Sequence, residues 1–74
     1  MTRRLNPKKL LLSKWTAVNP QQQEKHFLVT QIANNSTPIA ERDLIILEAV
    51  MTKHAYRIDW HELLDEVTWR QGWH

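Results

Sequence analysis

Residues 13–18, Ser-Lys-Trp-Thr-Ala-Val, carry the clearest strand signal in the chain. The stretch is rich in β-branched and aromatic residues, which pack well on a pleated sheet. Side chains along a strand point alternately to its two faces, so Trp15 and Ala17 share one face while Lys14 and Thr16 share the other. We therefore predict a first strand here, with one apolar and one polar face.

Three later segments show related patterns. Residues 26–32 alternate with apolar side chains on both faces, as expected for a strand well inside a sheet. Residues 44–51, Leu-Ile-Ile-Leu-Glu-Ala-Val-Met, fit either a buried helix or a strand, and the isoleucine pair favours a strand. Residues 56–59 alternate again and predict a short fourth strand. Between the first two strands we expect a loop over residues 19–23, because Pro20 interrupts strand pairing.

A helix is predicted over residues 60–71. Asp59 and Glu62 have the spacing of a capping box, in which each side chain accepts a hydrogen bond from a free backbone N–H. Gly72 follows, where a helix commonly ends in a left-handed residue. One apolar stripe at helical spacing would face the sheet: Trp60, Leu63, Leu64 and Val67. The predicted fold class is therefore α+β, a small antiparallel sheet of three or four strands with one C-terminal helix packed on it.

Composition limits the class of protein further. A chain of 74 residues forms one small domain, whose core four tryptophans can enlarge. The chain has no cysteine, which excludes disulfides and thiolate chemistry and suits a reducing cytoplasm. The longest apolar run, residues 44–47, is far shorter than the roughly 20 residues of a membrane span. We therefore expect a cytoplasmic protein without a membrane partner.

Basic side chains are concentrated at the start of the sequence. The first 14 residues hold five of the ten lysines and arginines and no acid, whereas the remainder has a net charge of −3. These five residues are Arg3, Arg4, Lys8, Lys9 and Lys14. We predict a flexible basic arm over residues 1–7, followed by a single tryptophan-rich domain over residues 8–74.

The pattern of residues resembles a known family. Residues 8–18, Lys-Lys-Leu-Leu-Leu-Ser-Lys-Trp-Thr-Ala-Val, and residues 24–29, Glu-Lys-His-Phe-Leu-Val, resemble the opening of small tryptophan-rich bacterial proteins classed as a domain of unknown function. Residues 57–60, Arg-Ile-Asp-Trp, and the closing Trp-Arg-Gln-Gly-Trp of residues 69–73 resemble the second half of the same family. The resemblance implies a single-domain bacterial protein and carries over no activity, cofactor or partner.

No residue pattern predicts catalysis. The four histidines are scattered, and His61 and Asp65, one helical turn apart in the predicted helix, lack the further ligands that a metal site needs. The single glycine cannot build a phosphate-binding loop. We therefore expect a protein that is not an enzyme and that holds no metal or other cofactor.

Binding is the better-supported class, and two hypotheses compete. In the first hypothesis, RNA or another single strand binds, and its phosphates contact the basic residues near the start of the chain: Arg3, Arg4, Lys8, Lys9 and Lys14. An aromatic ring such as Trp15, Phe27 or Trp73 stacks on its unpaired bases. In the second, a protein partner contacts a patch of residues enriched at interface hot spots: Trp69, Arg70 and Trp73. A homodimer through an open sheet edge is a third hypothesis. We rank nucleic acid slightly ahead of protein because of the arm.

Overall fold

The predicted strand at residues 13–18 forms part of a longer strand in the computed structural model, which describes residues 3–74. Five strands make one sheet: β1 (Lys14–Gln21), β2 (Glu24–Gln31), β3 (Leu44–Ala49), β4 (Ala55–Asp59) and β5 (Trp69–Gln71). Their order across the sheet is β4-β3-β2-β1-β5, and every neighbouring pair is antiparallel. The strands β1 to β4 therefore follow one another as hairpins, and β5 returns to the outer side of β1.

The β1–β2 hairpin is tighter than the predicted loop over residues 19–23. Strand β1 continues through Pro20 to Gln21, and only Gln22 and Gln23 form the turn, with φ angles of 53° and 64°. Proline is tolerated within this strand because β5 pairs with β1 only from Trp15 to Ala17 and the Val18 N–H donates to the Thr68 carbonyl (3.0 Å), so that both contacts on this outer edge come before Pro20. Asparagine and proline near a turn thus mark an edge strand here and not a loop.

Strand β3 confirms the preference for a strand over residues 44–51. Ile45, Leu47 and Ala49 are buried, and the alternate residues Leu44 and Ile46 are half-buried. This period of two is that of a strand with one covered face. The predicted fourth strand is also present, as β4.

The predicted C-terminal helix is wrong, and with it the α+β fold class and the expected three or four strands. Within residues 3–74 the only helical segments are three 3₁₀ segments: Pro7–Lys9, Ile39–Glu41 and Trp60–Leu64. Asp59 does act as a cap, since its side chain accepts a 2.8 Å hydrogen bond from the backbone N–H of His61. The helix nevertheless ends at Leu64, after five residues.

Asp65 ends the 3₁₀ segment. Its backbone is extended, with φ −79° and ψ 100°, and its carboxylate accepts hydrogen bonds from the Val67 N–H (3.0 Å) and the Thr68 hydroxyl (2.7 Å). Aspartate bonds of this kind offer the backbone an alternative to the helix. The hydrogen bond from the Thr68 hydroxyl is also the main reason why the pKa of Asp65 lies below its usual range. The chain turns here and enters β5.

Strand β5 provides hydrogen-bond partners for backbone groups on the outer edge of β1. Ala17 faces Trp69 and Trp15 faces Gln71 across the pair. A strand edge carries backbone N–H and C=O groups that need partners, so three residues of pairing favour a strand over continued helix. Gly72 adopts the predicted left-handed conformation, with φ 83°, but it follows a strand.

One face of the sheet carries the hydrophobic core, and we call it the core face. The core consists of Leu10, Trp15, Phe27, Val29, Ile45, Leu47, Ala49 and Leu63. Leu10 comes from the N-terminal segment, residues 3–13, and Leu63 comes from the last 3₁₀ segment. These two segments therefore cover part of the core face. Trp15 is the largest fully buried side chain, as expected for a core tryptophan, while Trp60 and Trp69 are half-buried beside it.

The N-terminal segment is attached to the sheet through Arg3. Its guanidinium donates to the backbone carbonyls of Leu63 and Trp69, at 2.8 Å for Trp69, and lies 5.3 Å from the centroid of the Trp15 ring. The flexibility of the predicted arm over residues 1–7 stays a prediction, and its first two positions lie outside the described residues. No helix in residues 3–74 combines the length and the apolar character needed to cross a membrane.

Candidate functional site

Trp73 is the most exposed tryptophan of the chain, with 43% of its surface accessible, and it lies among basic side chains. The Lys14 ammonium is 4.9 Å from the centroid of its ring, and the His26 ring lies 6.0 Å away, tilted by 38°. Arg70 is exposed and faces Thr16 across the β1–β5 pair, on the same side of the sheet as Lys14. We call Lys14, His26, Arg70 and Trp73 the polar-face cluster.

The last residues hold Trp73 in place over this face. The Gly72 N–H donates to the Lys14 carbonyl at 2.8 Å, and the Trp73 indole N–H donates to the Phe27 carbonyl at 2.9 Å. Thr16 is buried beneath the segment, where its hydroxyl donates to the Gly72 carbonyl (2.7 Å) and accepts from the His74 N–H (3.0 Å). Because these bonds fix the backbone, the Trp73 ring is positioned in advance of any ligand.

The structure separates the basic residues that the sequence groups together. Trp15 and Phe27 are only 1% and 6% exposed, so neither ring is available for stacking, and Arg3 is engaged with backbone carbonyls. Arg4, Lys8 and Lys9 are exposed in the N-terminal segment. Of the aromatic residues considered for stacking, only Trp73 is both exposed and next to a predicted phosphate contact, Lys14.

The three residues of the predicted protein-binding patch do not form one surface. Trp69 lies on the core face, where its ring meets Phe27 edge-on with centroids 5.1 Å apart. Arg70 and Trp73 lie on the opposite, polar face. Two tryptophans four residues apart would share one side of a helix, but a strand followed by the Gly72 turn places them on opposite faces.

A groove of about 540 Å³ opens on the core face beside Trp69, and we call it the core-face groove. It lies at the part of this face that the N-terminal segment leaves uncovered, and Val67 at its rim is 76% exposed. The base of the groove is apolar and aromatic and consists of Ala17, Phe27, Leu47, Tyr56, Ile58 and Trp69. The other lining residues are mostly polar: Asn19, Gln21, Gln22, Glu24, Val67 and Thr68. Its size is that of a small-molecule site, which typically measures about 300–1,000 Å³.

Among the described residues that line this groove, Glu24 is the only one with a carboxyl group, and it is 5% exposed. Its carboxylate accepts hydrogen bonds from the hydroxyls of Thr52 and Tyr56 and from Nδ1 of His54, the last at 2.8 Å. These bonds, that from Thr52 foremost, lower the pKa of Glu24 below its usual range. The bond to Glu24 in turn raises the pKa of Tyr56. The groove therefore contains a fixed negative charge at neutral pH.

Sequence reasoning missed Glu24 and its partners. The three donors lie 28 to 32 residues further along the chain, in the β3–β4 turn and β4. Only the pairing of β2 with β3, and of β3 with β4, brings them to the same end of the sheet. A lone glutamate after a polar turn carries no local signal of burial, since glutamate is almost never fully buried unless paired.

A third group of polar side chains lies where β4 ends. Potential metal-ligating atoms of Asp43, Asp59 and His61 lie within 4.8 Å of one another. Asp59 already accepts bonds from the backbone N–H and Nδ1 of His61, which lower its pKa, the backbone bond most. Asp65, the acid that the sequence paired with His61, is bonded to Val67 and Thr68 instead. Asp43 and His61 are exposed and Asp59 is half-buried. The bonds between Asp59 and His61 are those of a helix cap, and Asp43 accepts a bond from the Trp60 indole N–H instead.

Over residues 3–74, the fold and these sites define a small all-β protein: a five-stranded sheet with an aromatic-basic cluster on its polar face and a groove on its core face. The chain belongs to the tryptophan-rich protein family DUF2389, a family of unknown function whose model matches residues 13–74. The family resemblance seen in the sequence is thereby confirmed. No curated protein and no solved structure matches the chain.

Proposed function

We propose that this protein is a non-catalytic module of the bacterial cytoplasm that binds single-stranded nucleic acid through the polar-face cluster. The observation that carries the proposal is the exposed Trp73 ring, held by backbone hydrogen bonds next to Lys14 and His26. An aromatic ring beside cations is the usual combination for binding a single strand, because the ring stacks on a base while the cations contact phosphates.

Stacking requires bases that are not paired, so single strands are favoured over a duplex. Each base stacked on an aromatic ring contributes about 1–3 kcal/mol, and the stack does not depend strongly on sequence. Lys14 lies over the Trp73 ring in the free protein. On binding, a base would take the place of the Lys14 ammonium, whose flexible chain would turn toward a neighbouring phosphate.

Further phosphate contacts would come from exposed basic side chains of the N-terminal segment, namely Arg4, Lys8 and Lys9. Arg3 would contribute by holding this segment on the sheet, since its guanidinium is bonded to backbone carbonyls. Few cations are involved, so the affinity would be modest and would fall as salt screens or replaces them.

The test is a titration of the protein with mixed-sequence single-stranded RNA and DNA and with matched duplexes, at low and at physiological salt. We expect saturable quenching of tryptophan fluorescence by the single strands, with smaller effects from the duplexes. NMR shifts should include the Trp73 indole N–H and residues 14 and 26. The absence of saturable binding at low salt would refute the proposal.

Two matched variants show whether the cluster or the overall charge is responsible. Lys14→Gln removes a cluster charge, whereas Lys53→Gln removes an exposed lysine in the β3–β4 turn. We expect Lys14→Gln to weaken binding more than Lys53→Gln and to reduce the salt slope by about one unit. Trp73→Leu should abolish the fluorescence response. Equal effects of the two lysine variants would mean that net charge alone binds the nucleic acid.

A further inference from the structure

The core-face groove differs in chemistry from the polar-face cluster on the other side of the sheet. Within residues 3–74 its lining includes one ionisable acid, Glu24, and no lysine, arginine or histidine. Hydrogen bonds from Thr52, Tyr56 and His54 keep this carboxylate ionised. A groove lined by one carboxylate and by no basic side chain favours cationic over neutral or anionic ligands, and the His54 ring that bonds to Glu24 lies outside this lining.

Three aromatic rings line the same groove at large angles to one another. The Phe27 and Trp69 rings are nearly perpendicular, at 89° with centroids 5.1 Å apart, and Phe27 and Tyr56 meet at 61° with centroids 6.2 Å apart. Rings at such angles form adjacent walls and not a single flat layer. Aromatic walls attract cations through their quadrupoles, and tryptophan does so most strongly.

The bonds of Glu24 narrow the class of cation. Both carboxylate oxygens already accept hydrogen bonds, one from Tyr56 and the other from Thr52 and His54. The carboxylate can therefore attract a ligand through its negative charge, but it has few acceptor positions left for hydrogen bonds from that ligand. A primary ammonium or a guanidinium loses hydrogen bonds to water on entering such a site, whereas a quaternary ammonium has no N–H groups and loses none.

We propose that the core-face groove binds a small free quaternary ammonium compound, with Trp69 and Tyr56 as aromatic walls, the buried Phe27 at the base supporting both rings, and Glu24 as the counter-charge. The volume of about 540 Å³ suits a small molecule, and the rim residues Asn19, Gln21 and Gln22 can bond to a polar group that it carries. This site is independent of nucleic-acid binding, since it lies on the opposite face of the sheet.

The test compares choline with 3,3-dimethyl-1-butanol, which has the same shape without the charge, at constant ionic strength. Binding is followed by tryptophan fluorescence and by NMR shifts of the Trp69 indole and of Tyr56. We expect saturable shifts with choline and at least about tenfold weaker binding of the alcohol. Equal binding of the two compounds, or no saturation with choline at millimolar concentration, would overturn the proposal.

Variants at the rim test the charge without altering the core. Val67 is 76% exposed, so Val67→Lys places a positive charge at the groove while Val67→Gln is its neutral control. We expect the lysine variant to weaken choline binding severalfold relative to the glutamine variant, with both variants folded. Glu24→Gln should weaken it by about tenfold if the variant folds. Equal affinities of the two Val67 variants would contradict an electrostatic role.

A peptide containing trimethyllysine is the last ligand to be tested. It carries the same cationic group within a polypeptide, and we expect it to bind no more tightly than choline. Binding of the peptide without binding of choline would overturn the assignment to a small molecule. The affinity of Val67→Gln for nucleic acid should equal that of the parent protein. This result would separate the proposal for the core-face groove from the one for the polar-face cluster.

Discussion

The two ends of the core face contain similar residues but differ in their cover. At the covered end, Trp15 is 1% exposed beneath Arg3, and Leu10 and Leu63 join it in the core. At the open end, Trp69 is only half-buried and Val67 is 76% exposed, although both lie along the same face. At the covered end other side chains pack over the aromatic ring, whereas at the open end the aromatic rings line a groove.

This difference shows what each end contributes. Burial of apolar surface stabilises a small domain in proportion to the area removed from water, so the covered end should provide most of the stability. The open end leaves aromatic surface and a bonded carboxylate accessible to a ligand. The same sheet thus has a structural end and an end available for binding, and the following substitutions test that division.

Trp15→Ala should have the largest effect. Removing a fully buried tryptophan leaves a large cavity at the covered end, and we expect a loss of about 3–5 kcal/mol in the free energy of unfolding. Urea denaturation followed by circular dichroism measures it. The control is Trp73→Ala, which removes an exposed ring and should cost about 1 kcal/mol. Similar losses for the two variants would contradict the assigned roles.

Leu63→Ala should come next. Leu63 is fully buried although it belongs to a 3₁₀ segment of five residues, so its truncation removes part of the cover over the sheet. We expect a loss of about 2–5 kcal/mol, measured by urea denaturation. Leu11→Ala, at a leucine that is 49% exposed, is the matched control and should cost far less. If the two losses were equal, the segment would not be a cover.

Glu24→Gln should change how stability depends on pH. The pKa of Glu24 is lowered in the folded protein, so its ionised form stabilises the fold above the carboxyl's unfolded pKa, and this contribution is lost as pH falls through the folded pKa. We expect the parent protein to lose stability in acid more steeply than the variant. Thermal melts between pH 2 and 7 measure both.

The pH comparison isolates one carboxyl. Asp59 and Asp65 also have lowered pKa values, but both remain in the variant and cancel in the difference between the two proteins. Parallel acid profiles would show that the bonds from Thr52 and Tyr56 to Glu24 do not hold its charge.

Val67→Ser should have the smallest effect. The side chain is mostly in water at the rim of the groove, and substitutions at such positions usually change stability by less than about 0.5 kcal/mol. Urea denaturation again gives the value. A loss above about 1 kcal/mol would mean that the open end is closed in solution.

Much of the sheet follows from local patterns. Residues 13–18 have side chains that alternate in character, residues 26–32 have apolar side chains on both faces, and the isoleucine pair favours a strand in residues 44–51. The cap at Asp59 could be predicted as well, because its hydrogen bond spans two residues. The burial of Trp15 could not, and the sequence offered this ring for stacking on bases, because the side chains that cover it come from distant segments. The candidate sites could be predicted only in part, since Glu24 is bonded to residues about 30 positions away.

The sequence by itself indicated roughly where the strands of the central hairpins lie and which face of residues 13–18 is apolar, because these depend on neighbours one or two residues apart. Only the tertiary structure decided that residues 69–71 form a strand. The sequence pattern places them in the predicted helix, but the outer edge of β1 offers backbone partners and the Asp65 turn directs the chain toward it. That pairing also places Trp69 and Trp73 on opposite faces of the sheet. In a helix, two residues four positions apart would lie on the same side, whereas here a strand and the Gly72 turn separate their rings.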